Sequence, residues 1–354
     1  MKGEIYMKLN LNGLSISDLN LIVQNQNVPW QKFANSRVLI YGGTGFIGSW
    51  LTTALKHANS ELGLNIEVSI VTRDARAAQA KFGSIDSGDI QFIEHDFAFG
   101  PLNDFFQAEY IFHGATPTRV LTGSNHPVNL FNASVNAANH AIQCKSSRFE
   151  VPMAIHLSSG AIYGRQSMEN SHRSEDDVAA SELDAYGQAK LATDRVLEDA
   201  FSEGKIKFQS PRLFAFAGPL LQLDAHFAVG NFLLDGVQGK PISVNGNPNT
   251  LRSYMYPSDL IIALLAIATH DEYLNVNIGS EESISMSNLA YLISRLTAQK
   301  GVLFTNPTLN PSNYVPSTSR LKSILPGCKF LTLEDSLRRW IEWINHQDLP
   351  AKEV

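Results

Sequence analysis

Cysteine is nearly missing from the chain: 354 residues hold two, Cys144 and Cys328, and they lack metal-ligand spacing. Two thiols in so long a chain argue against a disulfide scaffold and for a reducing compartment. Charge is also sparse. Charged residues make up 18%, the formal net charge is −6 and the pI is near 5.9, so no sequence-independent attraction to nucleic acid or to an anionic membrane is expected. No apolar run approaches the roughly 20 residues of a membrane span. The N-terminus lacks the basic-then-apolar layout of a secretion signal, so a cytoplasmic location is expected. Internal repeats and low-complexity segments are absent as well. What is left is an ordinary globular composition, 44% hydrophobic, long enough for one large domain or two lobes.

Within that composition the stretch Arg37–Gly48, RVLIYGGTGFIG, stands out. An apolar strand runs directly into a glycine-rich turn and then a helix, the setting in which a dinucleotide fingerprint has meaning. Gly42 permits a sharp turn, Gly45 removes a Cβ that would block a pyrophosphate, and Gly48 allows close packing of helix on sheet. The N–H groups of the first helical turn, around Phe46 and Ile47, are unpaired and carry the positive end of the helix dipole.

Short apolar runs then alternate with amphipathic helices. Strands are predicted at 65–71, 90–94, 110–113, 153–157 and 207–214, and helices at 75–82, 127–144 and 183–201, a βαβ rhythm that predicts a parallel sheet. From Gly218 the rhythm changes, with helices predicted at 227–237, 257–267, 285–298 and 333–345 and short strands at 241–244 and 275–278. The fold expected is α/β, a Rossmann-type doubly wound parallel sheet with a smaller C-terminal α/β substrate lobe. Residues 1–36 form an N-terminal appendage and 37–217 the dinucleotide-binding domain. Residues 218–354 form mainly the substrate lobe, with about 250–278 returning to the larger domain.

Tyr186-Gly187-Gln188-Ala189-Lys190 puts a phenol and an ammonium on one helix face. A nearby ammonium favours the phenolate and would lower its pKa from about 10 toward the working pH. The strand ending at Leu157 delivers Ser158 and Ser159 to the same sheet edge, so glycine loop, strand-tip serine and Tyr/Lys helix occur in the order one active site needs.

With these motifs the chain resembles the extended short-chain dehydrogenase/reductases, the NAD-dependent epimerase/dehydratase family that modifies nucleotide-activated sugars. The resemblance runs from Arg37 to the C-terminal helix. It implies Ser159, Tyr186 and Lys190 as the catalytic set, cofactor contacts at Gly42, Gly45, Phe46, Ile47, Gly48, Arg73, Asp96, Phe97, Ala115, Tyr186 and Lys190, and no metal. It implies substrate contacts at Thr116, Ser159, Asn231 and Arg252, with Arg252 on the diphosphate; an ion pair of Arg252 with Asp259 is the alternative. Helices 127–144 and 183–201 match the pair through which relatives form a homodimer.

The 4,6-dehydratases of the family carry Asp-Glu directly after the catalytic hydroxyl, and the decarboxylases keep the glutamate. Here Gly160 and Ala161 stand there. Dehydration is disfavoured, which leaves hydride transfer at one sugar carbon, commonly C4, as a ketone reduction or an epimerisation. The alternatives are a dehydratase or decarboxylase using other acids, and a dinucleotide-binding sensor without turnover. After the second strand, Arg73 with Arg76 favours NADP, whereas Asp74 keeps NAD open. Further candidates are Thr118 and Arg119, His226, and Asn132. His140 with Cys144, and Trp340 with Trp343, read as core.

Overall fold

A computed structural model describes residues 13–83, 90–104, 106–116, 127–166, 168, 172–177, 182–223, 227–298, 301–305 and 310–346. Through residue 213 the order is α1 (Ile16–Val23), β1 (Arg37–Tyr41), α2 (Phe46–Leu62), β2 (Glu67–Thr72), α3 (Ala75–Phe82), β3 (Ile90–Glu94), β4 (Tyr110–His113), α4 (Pro127–Gln143), β5 (Met153–His156), β6 (Ser158–Ser159), α5 (Ala185–Ser202) and β7 (Lys207–Leu213). Beyond it come α6 (Ala228–Val237), β8 (Ile242–Asn245), β9 (Leu251–Ser253), α7 (Pro257–Ala268), β10 (Asn275–Ile278), β11 (Ser283–Ser285), α8 (Met286–Leu296), β12 (Val302–Thr305), β13 (Asn313–Tyr314), α9 (Ser319–Ile324) and α10 (Leu333–Asn345).

The main sheet runs β3-β2-β1-β4-β5-β7-β10, all parallel, with β6 extending the β7 pairing. Its central strands are apolar on both sides because both faces are covered. Along β1, Val38 and Ile40 pack with Trp50 and Leu51 of α2, while Leu39 and Tyr41 pack on the other face with Ala137 of α4 and Leu197 of α5. The chain leaves β1 toward β2 on one side and returns to β4 on the other. A crevice therefore opens at the carboxyl ends of β1 and β4, where ligands bind in such sheets.

Beyond Ser258 and Asp259 in its first turn, helix α7 is apolar on every side, and every one of its 12 residues is buried, as a helix with no polar stripe must be. It lies in the core that contains α2 and α1, which gives the N-terminal segment a layer of its own. Asp18 of α1 is buried and accepts from the Tyr256 hydroxyl at 2.7 Å and from Arg339 of α10 at 2.6 Å. The Trp343 indole donates to the Gly13 carbonyl at 2.6 Å.

A second core gathers Phe232 and Leu233 of α6, Leu289 and Ile293 of α8, and Leu337 and Trp340 of α10. Around it β8 pairs with β12, and β9 pairs with β11 and β13. Four of these short strands, β9, β11, β12 and β13, and helix α9 have no counterpart in the sequence reading. Elsewhere the ends differ by one or two residues for visible reasons. The strand expected from Asn65 starts at Glu67, because Asn65 has φ +54° and the Ile66 N–H is taken by Asn59 Oδ1 at 2.8 Å. Helix α5 starts at Ala185, because Asp184 caps it through the Gly187 N–H at 2.7 Å. Among the described residues no helix is long and apolar enough to cross a membrane.

Candidate active site

The glycine turn closes on the sheet edge so tightly that its sequence has little freedom. Gly42 has φ +77°, and a Cβ there would lie 2.8 Å from the Gly114 carbonyl oxygen beyond β4. A Cβ on Gly48 would meet the Gly42 oxygen and Gly43 Cα at 2.5 Å. Gly45 is the N-cap of α2 and brings no side chain to it, so the first-turn N–H groups around the half-buried Phe46 and Ile47 face outward at the positive end of the helix. A pyrophosphate suits this cradle: bare backbone donors, no side-chain bulk and a helix dipole of the right sign.

At the tip of β2, Arg73 is exposed, while Asp74 caps α3 by accepting from the Ala77 N–H at 2.8 Å. One oxygen of the exposed Asp74 carboxylate thus serves the helix cap, and the side chain stays open as the ribose ligand that the sequence allowed. From the end of α3, Lys81 donates to the Thr44 carbonyl inside the glycine turn, and burial lowers its pKa to about 8. Asp96 caps a 3-10 turn at Phe97–Phe99 through the Ala98 N–H at 2.9 Å. Phe97 packs edge-on to Tyr41, with centroids 5.1 Å apart. Ala115 is half-buried beside Gly114, and Thr116 is buried with its hydroxyl 3.0 Å from that of Ser134 on α4. Asn132 is half-buried on α4. Thr118, Arg119 and His226 lie outside the described residues.

The candidate catalytic groups meet where β6 and α5 touch. Ser159 caps the 3-10 turn Gly160–Tyr163, accepting from the Ala161 N–H at 3.1 Å. Gly187 seats the start of α5 on that turn: a Cβ there would lie 3.0 Å from the Ala161 oxygen. Tyr186 is half-buried. Burial pushes its pKa up to about 12, the Ser159 hydroxyl pulls the other way, and Asp184 adds to the rise. Lys190 is buried, donates to the Leu157 carbonyl at 2.5 Å and lies 5.6 Å from the Tyr186 ring centre. The sequence reading had this ammonium lowering the phenol. Instead the phenol is raised, and the ammonium, brought down to about 7 by burial against the opposing pull of Asp194, is bonded to backbone.

Tyr314 is a member that the sequence reading missed. Its hydroxyl lies 3.5 Å from Ser159 Oγ, and its ring packs 4.8 Å from that of Phe214. The strand that carries it, β13, is two residues long, too short to show a period. Arg252 lies over the Tyr314 ring at 6.0 Å and donates to the carbonyls of Leu251 at 2.8 Å and Ser312 at 3.2 Å. Burial lowers its pKa. Asp259, the alternative partner, instead accepts from the Leu331 N–H at 2.9 Å. That leaves the guanidinium facing neutral groups, the setting in which it can take phosphate oxygens. Asn231 is half-buried on α6.

The site's chemistry is that of neutral and cationic donors around a raised phenol. Among the described residues no three His, Cys, Asp or Glu side chains converge as a metal site. His140 and Cys144 sit with Tyr41, whose hydroxyl is 2.7 Å from His140 Nδ1.

The family model described as NAD dependent epimerase/dehydratase family matches residues 38–279. Among similar sequences, UDP-glucuronic acid decarboxylase 1 of Xenopus tropicalis is 22% identical over 339 residues, 91% of this chain and 76% of that protein. Among solved structures, UDP-N-acetylglucosamine 4-epimerase from Methanobrevibacter ruminantium, in complex with UDP-N-acetylmuramic acid, superposes with TM-score 0.74 at 19% identity, covering 88% of this chain and 99% of that one. UDP-glucuronic acid 4-epimerase from Bacillus cereus, in complex with UDP-glucuronic acid and NAD, does so with TM-score 0.71 at 21% identity, covering 87% and 99%. Likenesses at this level of identity establish the shared fold.

Proposed function

The chain belongs to the NAD dependent epimerase/dehydratase family, and from that premise we propose that it is an NAD(P)-dependent enzyme acting on a nucleoside-diphosphate sugar, reducing or epimerising one sugar carbon, C4 by preference. The observation that carries this reading is the convergence of Ser159, Tyr186 and Lys190 at the sheet edge whose glycine turn suits a pyrophosphate. We assign the dinucleotide to residues 37–217 and the sugar nucleotide mainly to residues 218–354.

When bound, the dinucleotide would supply the hydride acceptor or donor for that sugar carbon. Residues of the glycine turn hold its diphosphate through backbone N–H groups, with Arg73, Asp96, Phe97 and Ala115 around the adenosine side. Ser159 donates to the reacting oxygen. Tyr186 takes the proton from that oxygen in oxidation and returns it in reduction, and the Lys190 charge favours the phenolate in the first direction. Arg252 and Asn231 hold the sugar diphosphate, and Thr116 borders the sugar.

Solved relatives carry NAD, which supports a nicotinamide dinucleotide and lends nothing to a choice of NADP. In favour of NADP stands the exposed Arg73 beside an Asp74 with one oxygen in the helix cap. Decarboxylase relatives favour a second reading, loss of carbon dioxide from a uronic acid; against it, Gly160 and Ala161 supply no acid. A homodimer through α4 and α5 also belongs to the proposal. The test is a screen of UDP- and other nucleoside-diphosphate sugars, their 4-keto forms included, for turnover and thermal stabilisation, with NAD and NADP in parallel, each oxidised and reduced, and product mass recorded. Turnover at unchanged mass supports epimerisation, a gain of two hydrogens reduction, and loss of carbon dioxide the second reading. No turnover or stabilisation with any of them contradicts the proposal.

A further inference from the structure

We propose that Asp194 is a positioning residue of the catalytic set: one helical turn from Lys190, its carboxylate fastens the helix bearing Tyr186 and Lys190 to the strand tip bearing Ser159. The proposal rests on the catalytic reading given above.

Positions 186, 190 and 194 recur every four residues and share one face of α5. Asp194 is 6% exposed. One carboxylate oxygen accepts from the Ser158 hydroxyl at 2.8 Å and the other from the Ser210 hydroxyl of β7 at 2.6 Å. Ser158 directly precedes Ser159, and Leu157, whose carbonyl takes the Lys190 ammonium, directly precedes Ser158. An ammonium and a carboxylate one helical turn apart thus grip two consecutive residues of the strand tip, Leu157 and Ser158, next to Ser159. A buried carboxylate with two hydroxyl donors is held in one orientation, so the spacing from Ser159 to the Tyr/Lys helix is fixed through it.

Among the described residues Asp194 is the carboxylate that acts on Lys190, and Glu198, the next position on this face, acts on Asp194. From β5, His156 lies with Nε2 at 3.9 Å from Asp194, and neither of its ring nitrogens has a hydrogen-bond partner. His113 of β4 packs against it with ring centres 4.9 Å apart. Burial keeps both imidazoles neutral, His113 down to about 4 and His156 well below its ordinary value. The titratable side chain of α4, His140, is turned to Tyr41. Arg212 of β7 and Glu198 of α5 act on Asp194 in opposite senses. Asp194 is the group that opposes the loss of the Lys190 proton, while Ser210 and Ser158 oppose the burial that carries the Asp194 pKa up to about 6.

The test is Asp194→Asn and Asp194→Glu in the full-length protein. Lys190 protonation is followed by NMR of 15N-labelled lysine, and kcat is followed against pH. Asn keeps the shape and an acceptor oxygen but removes the charge. It is expected to lower the Lys190 pKa by about one unit or more, tenfold in proton affinity, and to move the alkaline limb of kcat to lower pH by the same amount. Glu restores the limb. A limb that stays in place while kcat falls equally at all pH values, with Lys190 unmoved, overturns the proposal. Should the Asn variant not fold, Ser210→Ala removes one donor and is expected to raise the pH at which Asp194 and its lysine partner uncouple; no such shift also overturns it. The lysine resonance is read without substrate, so a wild-type protein inactive on every sugar nucleotide would defeat the catalytic reading and leave this measurement to decide the pairing by itself.

Discussion

The ring of Phe214 occupies the space that a side chain at Gly160 would need: a Cβ built there lies 2.8 Å from Cζ. The position that carries an acid in the family's dehydratases is closed by an aromatic residue just beyond the end of the neighbouring strand, β7. Gly160→Asp is therefore expected to destabilise the protein by about 1–3 kcal/mol, the range for overpacking a full interior, and not to install dehydratase activity. Urea unfolding and product mass together check both parts. A stable variant that releases water from a sugar nucleotide would contradict them.

Arg252 has neutral neighbours and a neighbouring aromatic face. Arg252→Gln is expected to raise KM for a nucleoside-diphosphate sugar by roughly 10- to 100-fold, the worth of one or two hydrogen bonds to a charged group. Dinucleotide affinity should not change. Steady-state kinetics and calorimetric titration with the dinucleotide separate the two effects.

Arg73 faces outward while Asp74 is held in the α3 cap. Arg73→Ala is expected to weaken NADP binding by about tenfold or more, the loss of one charge-assisted contact, and to leave NAD binding as it was. Titration of each dinucleotide measures the ratio, and an equal loss for both would remove the case for NADP.

Glu109 ties the starts of β1 and β4 to the loop at residue 147. It accepts from the Arg37 N–H at 2.7 Å and from the Ser147 N–H and hydroxyl at 3.0 Å. Burial alone would raise its pKa, but these donors and the Arg37 charge outweigh that and hold it below the ordinary carboxylate value. A carboxylate whose folded pKa is depressed contributes stability above its unfolded pKa and loses it as the pH falls through the folded one. Glu109→Gln is expected to cost about 1–3 kcal/mol near neutrality, and the gap to the wild type should close below about pH 4. Urea titrations across pH measure it; a gap independent of pH would contradict it.

Much of this architecture was legible in the chain because it is written in periods and punctuation. The apolar run before Gly42, the alternation of strand and helix to residue 213 and the Tyr186/Lys190 spacing each appear as expected in the structure. The short strands β9, β11, β12 and β13 were not legible, since two to four residues cannot show alternation and their partners lie far away in sequence. Tyr314 sits on one of them, so nothing local marked it. The direction of the Tyr186 shift escaped for another reason: spacing reveals which groups are neighbours, whereas burial, which outweighs the Ser159 hydroxyl here, depends on the whole fold.

The most direct test of the account is single-turnover transfer between a sugar nucleotide and the bound dinucleotide, followed by the near-ultraviolet absorbance of reduced nicotinamide, in the wild type and in Tyr186→Phe. The account predicts unchanged dinucleotide affinity and a rate lower by about 10²–10⁴, the span of general acid–base catalysis by one side chain. Transfer at the wild-type rate in the phenylalanine variant would contradict it.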